Sequence, residues 1–344
     1  SEKQITSAFE QVKDYMEALL NKEGLKYDAI LTDGIKVAYF QFVGERVRHT
    51  TLRNLSVDDI DRIIKAILNN QTKKFEPVNI VKDFSISPMS FSVSKTIATI
   101  LFAQLNEHMT EKSNMLYSEW KGLMHLSVED NGKGSDIAKR RQDLSEIFAC
   151  DISDTEKEYK ALFALQTTYA IIVKLIACKV VDRLNFNEDA HDYHDLSILP
   201  SDKMQRFFQE IEDGYSYTSE GIRNFLEGDF FSWYADENQW SEEFWLNIKQ
   251  IIIVLDEYST FSFNVKYNPV DVFKDLYMSI IPQSVRHSMG EYFTPEWLAD
   301  RVISEALNGI QKQEWKAMDP CCGSGIFVIA LIKKVVGDID VSEL

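Results

Sequence analysis

Four cysteines in 344 residues are too few for a disulfide framework. Two of them, Cys321 and Cys322, are adjacent, which makes pairing with each other difficult, and they form no Cys-x-x-Cys zinc pair. Reduced thiols in a cytoplasm are the expectation. Ser1 to Asp14 is polar and charged, without the apolar run of a signal peptide. Long apolar runs are also missing. The most apolar stretch, Ala161 to Val173, is 13 residues ended by Lys174, against about 20 for a membrane span, so it reads as a buried helix and no membrane partner is expected. Basic excess is absent too: 37 Lys and Arg stand against 54 Asp and Glu, a net charge of −17. Residues 1–84 are balanced, at 13 basic and 13 acidic, whereas residues 85–270 carry 17 and 30. A phosphate-facing surface needs clustered cations, so the middle of the chain is a poor DNA surface. Repeats and low-complexity tracts are lacking as well.

Three segments emerge, and the fold class they imply is mainly α with α/β pieces. In the first, Ile5, Ala8, Phe9, Val12, Met16, Leu19 and Leu20 recur at three- and four-residue steps, one face of a helix. Two β-rich runs then flank Asp33-Gly34 between Tyr27 and Val43, a hairpin signal because the tight turn needs φ > 0. Ser56-Val57-Asp58-Asp59 can cap a second helix striped with Ile60, Ile63, Ile64, Ile67 and Leu68. The second segment, 85–268, reads as helical. Its longest element, Tyr159 to Leu184, is apolar on nearly all sides and belongs at a centre. Loops are expected at Asn131 to Gly134 and Asn185 to Asp195, and the aromatic-rich run Asn224 to Trp240 suits a core or a seam. In the third, the pattern gives a helix over Val270 to Ser279, another over Glu296 to Leu307, a strand over Trp315 to Met318, and a helix from Ile326 to about Val336.

Between that strand and that helix lies Asp319-Pro320-Cys321-Cys322-Gly323-Ser324-Gly325. Strand, glycine loop and helix make the first unit of a doubly wound fold. Gly323 and Gly325 let backbone approach a ligand, and the following helix offers free N–H groups. No Lys follows the glycines, so this is no phosphate loop. An acid before the loop suits an ammonium, such as the one in S-adenosylmethionine. A nicotinamide loop wants a third glycine where Val328 stands. Alone, the loop also fits a glycine-rich turn of any α/β enzyme.

Gly290-Glu291-Tyr292-Phe293-Thr294-Pro295, followed 24 residues after Pro295 by Asp319, resembles the N6-adenine DNA methyltransferases. That resemblance implies that Tyr292, Phe293, Thr294 and Pro295 line the methionine end of S-adenosylmethionine. Asp319 would face its ammonium, Pro320, Cys322, Gly323, Ser324 and Gly325 would form the loop beneath, and Phe327 would pack behind. The lead-in Asp271 to Gly290 and the helix around Ala161 to Ala177 look like those of fused restriction-modification polypeptides (type IIG-like) and related phage-defence methyltransferases. Gln11 and Tyr15 match a Gln-x-x-x-Tyr pattern after a PD-(D/E)xK nuclease core.

The resemblance thus implies 1–84 as the tail of a nuclease-like α/β domain and 85–268 as a helical connector. Residues 269–344 would begin a Rossmann-like methyltransferase domain. DNA is the implied partner, with a magnesium ion for any nuclease. Asn-Pro-Pro-aromatic, which would grip a flipped adenine, is not in the sequence, nor are nuclease metal ligands ahead of Gln11. The expectation is therefore a fragment without turnover of its own; the competing reading is a scaffold joining nuclease and methyltransferase modules. Asp338 or Asp340 could hold ribose hydroxyls. His191 and His194 read as part of a solvated acidic loop, and Arg286 and His287 as either phosphate contacts or braces.

Overall fold

The computed structural model describes residues 2–23, 27, 29–43, 46–56, 59–60, 63, 73–87, 92–127, 134–185, 193–218, 230–259, 271–309 and 316–336. The chain is mostly helical with a small antiparallel sheet.

The first unit is a helix on a sheet. Helix α1 (Glu2–Glu23) lies on strands β1 (Ala29–Thr32), β2 (Lys36–Val43), β3 (Arg46–His49) and β4 (Arg53–Asn54), with β2 pairing all three others. The hairpin is as expected: Leu31 pairs with Ala38, and Gly34 turns the chain at φ 85°. The Asp33 carboxylate accepts from the N–H groups of Ile35 and Lys36. Alternation on β2 sends Ala38, Phe40 and Phe42 to the face that Phe9 and Met16 cover. Gln11 and Tyr15 sit on the solvent side of α1, bonded to each other at 3.3 Å. Of the helix expected from Ser56, residues 59, 60 and 63 are helical and the rest lie outside the described residues. Ser56 and Asp59 cap its start reciprocally: Asp59 N–H donates to the Ser56 hydroxyl and Ser56 N–H to the Asp59 carboxylate.

The second unit is a helical core closed by a two-strand clasp. Strand β5 (Lys73–Lys74) pairs in parallel with β6 (Tyr258–Ser259). Between them run α2 (Pro77–Phe84), α3 (Val93–Glu107), α4 (Glu111–Ser127), α5 (Gly134–Phe148) and α6 (Thr155–Asn185). The short α7 (Tyr193–Ser197), α8 (Ser201–Glu212) and α9 (Tyr215–Thr218) follow, then a 3-10 turn (Phe230–Ala235) and α10 (Glu242–Asp256). Side-chain caps start several of these helices. Ser92 accepts from the Lys95 N–H and Ser241 from the Phe244 N–H.

As its pattern implies, α6 is central. Thr155–Val181 is long and apolar enough to cross a membrane by length and composition, yet 72 % of its most apolar window is buried in this core. Phe163 stacks near-parallel on Trp233, and the Trp233 indole donates to the Thr167 hydroxyl at 3.0 Å. The described part of the aromatic run therefore fills the core. Burying each such ring stabilises by about 1.5–3 kcal/mol. One cluster of buried side chains extends from Phe75 to Val285, drawing residues from both sides of positions 84 and 269. Of the expected loops, 131–133 and 186–192 lie outside the described residues and the margins need a correction: Gly134 starts α5, Asn185 ends α6, and Tyr193 to Asp195 are helical, because the Tyr193 ring is buried and holds the start of α7 in the core.

The third stretch comprises α11 (Val272–Ile280), α12 (Gln283–Ser288), α13 (Glu296–Ala306) and α14 (Ile326–Val336). The strand expected at Trp315 to Met318 is not formed in its described part, residues 316–318. A parallel strand draws its hydrogen bonds from neighbours, and no described strand pairs with it.

Candidate cofactor-binding corner and glycine loop

The Gly290-to-Pro295 corner is built by a helix stop. At the end of α12, Gly290 N–H donates to His287 O and Glu291 N–H to Arg286 O, at 3.1 and 2.9 Å, with Gly290 at φ 72°. This paired closure needs a left-handed residue, which is the role of Gly290. It delivers Glu291 to Tyr277 of α11, whose hydroxyl donates to both carboxylate oxygens at 2.9 and 3.0 Å. Burial lifts the Glu291 carboxyl above its ordinary value, outweighing the Tyr277 hydrogen bond and the Arg286 charge. Burial and the neighbouring Glu291 charge likewise push the Tyr277 hydroxyl far up. Phe293 meets Tyr277 edge to face at 5.9 Å, and Tyr277 meets Tyr169 of α6 the same way at 5.0 Å. Tyr292 is 72 % exposed and lies flat on His287 at 5.0 Å. Arg286 donates through Nε to Ile281 O. Of the two roles left open for Arg286 and His287, these contacts are braces. Thr294 is half-buried, and Pro295 leads into α13.

The glycine loop is a tight turn into α14. Gly325 N–H donates to Cys322 O at 2.7 Å, and Ile329 N–H to Gly325 O at 2.8 Å. Gly323 and Gly325 stand at φ 53° and 86°, with open space where a Cβ would be. The glycines are thus required by backbone conformation, and the space before them is clear. Asp319 folds back on the loop, its Oδ1 accepting the Cys321 N–H at 3.1 Å. Its Oδ2 is buried without a hydrogen-bond partner among the described residues. Pro320, Cys321, Cys322 and Gly323 are exposed, and Ser324 is half-buried. The Ser324 hydroxyl donates to Asp271 Oδ2 at 2.6 Å.

Corner and loop share supports. Helices α13 and α14 pack through Ala299, Ile326 and Ala330, with Ile303 and Phe327 against them, and Lys333 pairs with Glu296. Phe327, the residue after the first of α14, packs into this cluster. Helix α11 holds the loop at Asp271 and the corner at Tyr277, about 9 Å apart along its axis at 1.5 Å per residue. Asp271, Tyr277 and Glu291 were not singled out from the sequence. Asp271 before a helical stripe was the one available signal, since an acid there caps a helix: it accepts the Lys274 N–H at 2.9 Å. A cavity of about 370 Å³ lined by Gln166, Tyr169, Val173, Lys174 and Phe231 shares Tyr277 with the corner. His194 lies 3.9 Å from Asp256; His191, Trp315, Asp338 and Asp340 lie outside the described residues.

No curated protein and no solved structure matches the chain. Residues 268–343, the stretch that holds both the corner and the loop, match the family model described as N-6 DNA methylase, so this part of the chain is similar to adenine DNA methyltransferases.

Proposed function

We propose that residues 269–344 bind the methionine end of S-adenosylmethionine and serve a protein that methylates adenine N6 in DNA. The observation that carries this is Asp319 Oδ2, a buried carboxylate oxygen with no donor among the described residues, four positions ahead of the first of two positive-φ glycines. Leaving such an oxygen unmatched costs about 1–3 kcal/mol or more, and a ligand ammonium removes the cost. The free N–H groups at the start of α14 suit the carboxylate beside that ammonium. The residues therefore fit the cofactor. Asp319 takes its ammonium, Pro320, Cys322, Gly323, Ser324 and Gly325 form the floor, and Tyr292, Phe293, Thr294 and Pro295 form the wall. When bound, the cofactor supplies an electrophilic methyl group. The chain's part is to orient its amino-acid end, the positioning on which methyl transfer depends.

The adenine-gripping Asn-Pro-Pro-aromatic is not in these 344 residues, so we assign them cofactor binding without turnover. We further read the first unit, within residues 1–84, as nuclease-like and 85–268, with the β5 and α2 residues that share its core, as a connector, in a cytoplasmic restriction-modification protein. The continuous core from Phe75 to Val285 favours a scaffold role for the middle segment alongside this.

Calorimetry of the chain with S-adenosylhomocysteine tests the reading. Binding is expected, weakened tenfold or more in Asp319→Asn, as loss of a charge-assisted hydrogen bond of about 1.5–3 kcal/mol requires. Equal affinity in both proteins, or binding of NAD in preference, overturns it.

A further inference from the structure

The glycine loop and the Gly290-to-Pro295 corner are fastened to a single helix of the helical core, one at its cap and the other nearly two turns further on. At the start of α11, the Asp271 carboxylate does two jobs with its two oxygens: Oδ1 caps the helix through Lys274 N–H, and Oδ2 accepts the Ser324 hydroxyl. Two turns on, the Tyr277 hydroxyl holds Glu291, and its ring holds Phe293. Between these points Leu276, and beyond them Ile280, are buried in the core shared with α2 and α6. The Tyr277 hydroxyl also meets Gln166 of α6, which in turn accepts the Trp120 indole N–H of α4 at 2.9 Å. A rigid helix anchored in packed side chains fixes distances that loops alone cannot.

We infer that α11 is a strut by which the helical domain sets the spacing of the cofactor corner and the glycine loop, with Asp271 and Tyr277 as positioning residues for cofactor binding. The inference deepens the proposed function and rests on it for the identity of the ligand. The fastening itself stands on the hydrogen bonds alone. An element packed into one domain and bonded to the binding loops of the next makes the affinity of the second depend on the order of the first.

Two measurements on the full chain separate these parts. Three substitutions isolate the contacts. Asp271→Ser keeps a good helix cap but is too short to reach Ser324. Asp271→Asn keeps both cap and reach. Tyr277→Phe removes only the hydroxyl. Tyr258→Phe, which deletes an equivalent tyrosine-to-carboxylate bond to Asp83 in the clasp, is the control. Without ligand, amide exchange is expected to quicken in the loop peptide for Asp271→Ser and in the corner peptide for Tyr277→Phe. In each case the rise should be about tenfold, with Asp271→Asn and Tyr258→Phe unchanged there. With S-adenosylhomocysteine, the dissociation constant should rise about tenfold in Asp271→Ser and Tyr277→Phe, be restored in Asp271→Asn and stay put in Tyr258→Phe. Unchanged exchange in both segments overturns the strut whatever binds. Quickened exchange with an unchanged dissociation constant overturns the positioning role. If the wild-type chain does not bind S-adenosylhomocysteine, the cofactor reading fails and the positioning role fails with it, while the exchange result alone decides the strut.

Discussion

Replacing Asp59 with asparagine should loosen the N-terminal sheet by a calculable amount. The Asp59 side chain is 1 % exposed and takes five donors. They are the Tyr39 hydroxyl of β2 at 2.7 Å, two Arg53 nitrogens of β4 at 2.9 and 2.7 Å, and the N–H and hydroxyl of Ser56 at 2.9 and 2.7 Å. Burial by itself lifts this carboxyl, but the donors outweigh it and hold it at about 2, below its ordinary 3.8. One unit corresponds to about 1.4 kcal/mol, so the ionised form contributes about 2 kcal/mol to the fold. The folded value lies below the unfolded one. The contribution is therefore complete above about pH 4 and is lost as the pH falls towards 2.

Asp59→Asn should lose it at neutral pH. Amide exchange along β2, followed by mass spectrometry, is then expected to quicken about thirtyfold at pH 7. The two proteins should converge near pH 2, where the wild-type carboxyl is itself taking up its proton. Equal exchange at neutral pH, or a gap that survives undiminished in acid, would show that the five contacts do not carry the energy assigned to them.

Three further outcomes are expected. Glu291→Gln should raise the melting temperature near neutral pH, because burial lifts the wild-type carboxyl and keeping it ionised costs stability. The gain should vanish below its ordinary value of 4.5, where both states are protonated; a gain independent of pH speaks against the mechanism. Gly325→Ala meets open space but must hold φ at 86°, a strain of about 1–2 kcal/mol, read as a lowered melting temperature of α14 and weaker S-adenosylhomocysteine binding; an unchanged protein would mean the turn can relax. Trp233→Ala empties a fully buried site and removes the bond to Thr167. A loss of about 3–5 kcal/mol in denaturant unfolding is expected, and one below about 1 kcal/mol would place that ring outside the cooperative core.

Local signals were the legible ones. Asp33-Gly34 announced its hairpin because a left-handed turn position is written in one residue. The centre of the helical core was visible in α6, whose apolar residues leave no solvent face. The glycine loop and the Tyr292-to-Pro295 corner were visible as motifs. What was hidden depends on contacts far apart in the chain. The β5–β6 pairing joins two-residue strands 185 positions apart, too short to leave a period in the sequence. The expected strand at Trp315 failed in its described part, since a strand's existence is decided by its neighbours and not by its own residues. The roles of Asp271 and Glu291 were hidden, because their partners Ser324 and Tyr277 are set by tertiary packing.

The clasp also determines how the molecule bears load. Strands β5 and β6 run the same way, so tension between the N-terminal unit and the segment from Asp271 onward pulls them in opposite directions along their length. The strand bonds, together with the Lys73 ion pairs to Asp83 and Glu257, then resist sliding together and not one after another. Force entering from the N-terminal unit meets this short shear joint before it reaches α2.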